Sequence, residues 1–296
     1  MSLLLEPFQY EFMRRALLTC VMVGFTCGFL SVFVVLRRLS LTIDSLSHAL
    51  LPGLALAAVL IGMGPLALFG GGLLAALFVA AGGEIIYRCS RVKHDAATGI
   101  LCAFAFAVGV IVIYVFKDVI RVDLMHYLFG NVLGVSDSDL WVQFATMLAI
   151  VPLLTALQRP LLLTLFESSI AASVGIPARA LNFLIVVCMV CAVLSALQTV
   201  GLTLSLGLLI APAATLHLFS NSIRVLMWGG GVLGALGSVG GLWVSYWIEA
   251  PAGPCIVLVV AGIFLCAVIF SPKYGLIRYL RHGRHRHEES LRRWKQ

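Results

Sequence analysis

Ser40-Leu41-Thr42-Ile43-Asp44-Ser45-Leu46-Ser47-His48-Ala49-Leu50-Leu51-Pro52-Gly53 opens an apolar run that continues to residue 61. A run of that length can cross a bilayer as a helix. It nevertheless carries a carboxylate and an imidazole four residues apart. On a helix this spacing puts Asp44 and His48 on one face, one turn apart. An ionisable group at membrane depth is costly unless it is paired, solvated or holding an ion. Two readings stay open at this point. The pair is either a set of metal ligands flanked by the hydroxyls of Ser45 and Ser47, or an Asp–His clasp that pins neighbouring helices.

The rest of the chain identifies the solvent. It is 61% hydrophobic and 11% charged, with a mean hydropathy of +1.06. Soluble domains are about a quarter charged, so this is an integral membrane protein. Proline and glycine scattered through the apolar runs predict packed, kinked helices rather than a barrel. Runs at 12–36, 40–61, 66–87, 96–116, 138–158, 179–199, 203–220, 225–247 and 254–271 predict an all-α transmembrane bundle of about nine spans, with eight as the alternative. Residues 1–275 then form one membrane domain and 276–296 a basic, histidine-rich tail. Met1 to Gln9 hold Glu6 and Pro7 but no basic run, so no cleavable leader is expected.

Nine spans place the termini on opposite sides. Sixteen Lys and Arg then gather on one side and four on the other; without the tail the count is eight to four. The positive-inside rule puts the C-terminus in the cytoplasm. The net charge of +7 lies in short loops and the tail, so a membrane surface accounts for it and nucleic acid is not an expected partner. The eight cysteines fall in or beside apolar runs, and Cys188-x-x-Cys191 reads as helix packing rather than a metal or redox pair.

Two segments do not read as spans. Val119 to Asn131 is too polar and short; it contains Asp123 and His126 at i, i+3, which fit either an interfacial helix or a secondary metal site. Phe166 to Pro177 reads as a short cytoplasmic helix, opened by Glu167 or Ser168 and stopped by Gly175 and Pro177. It is either an ordinary connection or a surface on which another protein pushes. Further along, Gly237-x-x-x-Gly241 marks a face for close helix contact, within the chain or across a dimer. Glu249 to Pro254 reads as a rigid outer turn.

No G-x-x-x-x-G-K-[ST], H-E-x-x-H or G-x-S-x-G motif occurs in the sequence. The chain therefore reads as a transport subunit rather than an enzyme.

Several pieces in order carry a resemblance. They are Arg37-Arg38-Leu39-Ser40, Asp44 to Ala49, His94 to Ile100, Asp123 to Gly130, Phe166 to Gly175, Leu208 to Thr215 and Pro251 to Pro254. Together they resemble the permease subunits of bacterial ABC importers for manganese, zinc and iron, the ABC-3 metal permease family, across residues 10–271. The resemblance implies a multi-pass protein of the bacterial inner membrane, paired with a second permease copy or paralogue. It implies cytoplasmic ATP-binding subunits and an extracytoplasmic metal-binding protein as partners. It implies no permanently bound cofactor, only a transported divalent metal ion. Asp44 and His48 would be metal ligands on the pathway. Phe166, Glu167, Ala171, Ala172 and Gly175 would belong to the helix that couples to the ATPase. The competing class is an ion-coupled secondary carrier acting without an ATPase. That class favours inverted repeats, and no convincing internal repeat is found. An intramembrane enzyme ranks third, because no further catalytic partner for Asp44 and His48 can be named.

Overall fold

The computed structural model describes residues 10–62, 64–116 and 134–271. Among these, eleven helices form and no strand. They are α1 (Glu11–Arg37), α2 (Ser40–Leu60), α3 (Pro65–Cys89), α4 (His94–Val115), α5 (Asp137–Ala156), α6 (Gln158–Phe166), α7 (Ser168–Ser173), α8 (Ala178–Thr199), α9 (Leu202–His217), α10 (Ile223–Ile248) and α11 (Ala252–Phe270). Eight are long and apolar enough to cross a membrane.

The run at 203–220 forms α9, with only 16 residues. That is about 24 Å of helix, short of a hydrocarbon core of about 30 Å. Leu204, Ser205, Leu208, Leu209 and Ala213 are buried, so protein rather than lipid surrounds much of α9 and bilayer thickness does not set its length. Ser31 on α1 accepts the Ala213 N–H at 3.1 Å, beside Pro212, where the ladder of α9 lacks a donor.

The centre of the molecule is the contact between α1 and α10. Gly24 and Gly28 on α1 meet Gly230 and Gly234 on α10. Each pair is a G-x-x-x-G, and together they bring two backbones into direct contact. A Cβ at Gly24 would lie 2.5 Å from both the Gly234 carbonyl oxygen and Ser238 Oγ. The expected Gly237-x-x-x-Gly241 face is also used within the chain, against Val260 and Ile256 of α11. Beside this seam Phe25 and Phe29 stack on each other, and Trp228 meets Phe29 edge-to-face and Phe25 at a tilt.

Around this post α5, α8, α9 and α11 pack in turn, while α2, α3 and α4 form a separate trio reached mainly through α8. Arg38 closes α1 in the left-handed region (φ 56°), with the Leu39 N–H donating to the Val34 carbonyl at 3.0 Å. That tight reversal aims α2 into the trio. At the opposite end Arg15 pairs with Asp137 at 3.2 Å, joining the starts of α1 and α5. Glu249, also left-handed (φ 55°), and the Ser245 hydroxyl, bonded to the Ala250 carbonyl at 2.6 Å, make the expected turn before α11. All eight cysteines are free thiols.

Gly24→Ala tests the central seam. Alanine favours a helix over glycine by about 1 kcal/mol, yet here its methyl group must push backbone apart at a cost of about 1–3 kcal/mol. The detergent-solubilised variant should melt several degrees lower. Gly262→Ala, where a Cβ meets nothing within 4 Å, should leave the melting temperature unchanged or raise it.

Candidate metal pathway site

Asp44 and His48 occupy the first half of α2. Their side chains are 53% and 40% exposed, and His48 Nε2 lies 4.0 Å from Asp44 Oδ1. That distance is too long for a hydrogen bond. It is within reach of one ion, because bonds of about 2.1 Å from each side span up to about 4.2 Å, and a tetrahedral ion would draw the two atoms in to about 3.4 Å.

Neighbouring helices fix this geometry. The Phe106 ring on α4 and the His48 ring pack in a T-shaped pair, with centroids 5.9 Å apart and planes at 82°. One turn on, Gly109 admits Pro52 so closely that a Cβ would lie 2.8 Å from the proline Cα. Pro52 has no N–H to give to the His48 carbonyl four residues back. The α2 ladder is therefore interrupted at the candidate ligand itself, and α4 braces that point. Cys102 on α4 completes the clamp by donating its Sγ–H to the Ser45 carbonyl at 2.7 Å.

The structure corrects one expectation. Ser47 does not flank the pair: it is 1% exposed and donates to the Ile43 carbonyl at 2.8 Å. Among the described residues no cluster of three or more His, Cys, Asp or Glu forms. One chain thus presents two candidate ligands here, on a face open to the surroundings. Asp123 and His126 lie outside the described residues, as does the tail from 276 to 296.

The 166–177 segment folds as anticipated around Gly175, which takes φ +78°, with the Ile176 N–H donating to the Ala171 carbonyl at 2.9 Å. Two details differ from the sequence reading. A further helix, α6, continues from α5 after a break at Leu157. Ala171 is fully buried, and the side chains turned outward are Phe166, Ile170 and Val174. Spaced four apart, these three form one apolar stripe. Glu167 is exposed between α6 and α7 and accepts the Ala171 N–H at 2.9 Å. Residue 172 lies within α7. The Phe166-Ile170-Val174 periodicity was available in the sequence; Phe106 was not distinguishable there from a lipid-facing aromatic.

The ABC 3 transport family model matches residues 9–271. This chain belongs to that family. It is 36% identical over 277 residues to the manganese transport system membrane protein MntC of Halalkalibacterium halodurans, covering 93% of each chain. It is 34% identical over 278 residues to a probable iron transport system membrane protein of Haemophilus influenzae, covering 94% of this chain and 96% of that one. Among solved structures it is similar to PsaBC from Streptococcus pneumoniae in complex with Fab. The TM-score is 0.84 at 34% identity, covering 95% of this chain and 99% of that one. The all-helical membrane permease fold of this ABC 3 family member follows from these likenesses together with its own helices.

If Asp44 and His48 are ligands, Asp44→Ala and His48→Ala should each weaken Mn²⁺ binding to the purified protein by at least about tenfold. Ser47→Ala should not, because its hydroxyl is already engaged with backbone. Calorimetric titration in detergent reads the difference, and unchanged binding in both ligand variants would rule the site out.

Proposed function

We propose that this chain is the membrane permease of an ATP-binding-cassette importer that moves a divalent transition metal ion into the cell. The observation that carries the proposal is the Asp44–His48 pair on an open helix face, in a chain of the ABC 3 transport family. Carboxylate and imidazole suit ions between the hard and soft limits, such as Mn²⁺, Fe²⁺ and Zn²⁺. The manganese and iron systems among the relatives make Mn²⁺ and Fe²⁺ the first candidates.

Two ligands hold an ion loosely, and a second copy or paralogue facing the same pathway would supply two more. Such a shell replaces lost hydration when assembled and releases the ion when the halves part. Phe106 and the Pro52 break keep the ligands presented, so little reorganisation is needed on loading.

The drive comes from a partner ATPase. Arg37 on α1 is within 3.5 Å of the Thr164 hydroxyl on α6 and hydrogen-bonds Asn182 on α8. These contacts tie α6, and the apolar stripe after it, to the arginine-rich end of the bundle. By the positive-inside rule that end is cytoplasmic. Phe166, Ile170 and Val174 then face the compartment where ATP is hydrolysed, with the C-terminus on the same side. An extracytoplasmic metal-binding protein would deliver the ion to the other end.

Cells lacking this chain and starved of metal should recover with Mn²⁺ or Fe²⁺ only when the chain and its ATPase partner are both present. Ile170→Asp should abolish co-purification of the ATPase and uptake, and leave Mn²⁺ binding at Asp44 and His48 intact. ATP-independent uptake by the chain alone in vesicles would overturn the reading in favour of a secondary carrier.

A further inference from the structure

A cavity of about 860 Å³ opens among the ends of α1, α2, α3, α6 and α8 and the start of α4. It is distinct from the metal pair. Thr42 and Leu46 of α2 line it, and at 3.6 residues per turn these positions lie across the helix from Asp44 and His48. Its charged side chains are Arg37, Arg88, Arg179 and Glu84. Glu84 is matched by Arg88, at 2.6 Å. That leaves Arg37 and Arg179, and among the described residues neither has a carboxylate within ion-pair distance.

Arg37 is the informative residue. Its guanidinium donates to the neutral oxygens of Asn182 and, at 3.5 Å, Thr164. Its Nε is buried and has no hydrogen-bond partner. A cation held half inside a protein by neutral groups alone is a costly arrangement unless an anion lies close to its charge. The planar fork of arginine matches a phosphate better than it matches a halide. Arg179, exposed on the first turn of α8, supplies the second charge, where the helix dipole also favours an anion. The rest of the wall mixes Thr42, Thr98, Thr164 and Asn182 with apolar side chains, among them Phe183 one turn and Val186 two turns along α8 from Arg179. Inorganic phosphate has no use for the apolar part, whereas the glycerol and upper acyl carbons of a lipid do.

We propose that this cavity binds the phosphate of an anionic phospholipid, with Arg37 and Arg179 as its ligands. The site holds the α2–α3–α4 trio to α6 and α8 at the arginine-rich end, across a gap that the protein leaves unfilled. Recognition rests on the phosphodiester charge, and selectivity against zwitterionic lipids rests on the absence of a carboxylate beside Arg37.

Native mass spectrometry of the full-length chain in detergent tests this. Phosphatidylglycerol and phosphatidylcholine with identical acyl chains are titrated in parallel, and inorganic phosphate is added as a competitor. Phosphatidylglycerol should bind at least about tenfold tighter than phosphatidylcholine. Arg179→Gln, a surface change that leaves the fold intact, and Arg37→Gln should each remove most of that preference. Arg91→Gln, an exposed arginine outside the cavity, should keep it. Equal binding of the two lipids, or an equal loss in Arg91→Gln, would overturn the proposal. Displacement of phosphatidylglycerol by millimolar phosphate would overturn the lipid assignment in favour of free phosphate.

Discussion

The direct contact of two helix backbones, Gly24 and Gly28 of α1 against Gly230 and Gly234 of α10, is the constraint on which the rest of the bundle depends. In a bilayer, helices gain little from hiding apolar side chains from one another, since lipid is equally apolar. Close packing and local hydrogen bonds must do the joining instead. The glycine seam gives α1 that role. Ser31, one turn beyond Gly28, then reaches the interrupted backbone of α9 at Ala213, and α11 closes on the far face of α10 through Gly237 and Gly241. A short helix too small to span can sit inside this assembly because neighbours satisfy it on most sides.

The α2–α3–α4 trio is built to a different standard. Its contacts with the α1–α10 post run mainly through α8, so the trio is the more separable part of the fold. The candidate ligands sit on it. Pro52 weakens the α2 ladder at His48, and Gly109 with Phe106 on α4 restores order there from outside. A pathway ligand needs both properties: a fixed direction in which to meet the ion, and a backbone that can give slightly as the ion leaves. Two exposed candidate ligands from one chain leave most of an ion's coordination shell to be supplied from elsewhere.

Opposite the ligands, the same helix borders a cavity with unmatched positive charge. One face of α2 thus presents Asp44 and His48, and the opposite face borders a cavity whose arginines come from α1, α3 and α8. The connection Phe166 to Gly175 lies beside that cavity through the Thr164 contact of Arg37. The trio, α6 and the outward apolar stripe thus meet at one end of the molecule. The stripe therefore lies close to where the trio joins the rest.

Composition, run length and the spacing of Asp44 and His48 were enough to read a helical membrane protein, its span limits to within a few residues, and one helix face that carries both side chains. These are local properties: hydropathy over about twenty residues and a period of 3.6. The turns at Gly175 and Glu249 were legible for the same reason, since proline and glycine act on their own backbone. Other features required the assembled chain. Ser47 turned inward because its hydroxyl could satisfy itself on the Ile43 carbonyl, and no spacing rule distinguishes that from a ligand. Ala171 was lost to the interior and Phe166, Ile170 and Val174 came to the surface because α6 and α7 pack by whichever face the neighbouring helices leave open. Gly24 and Gly28 gained their meaning only against Gly230 and Gly234, some two hundred residues away. Arg37, Arg88 and Arg179 read as three separate loop charges until folding set them around one cavity. Sequence fixes what each helix can present, and packing, which is long-range and pairwise, decides what each face meets.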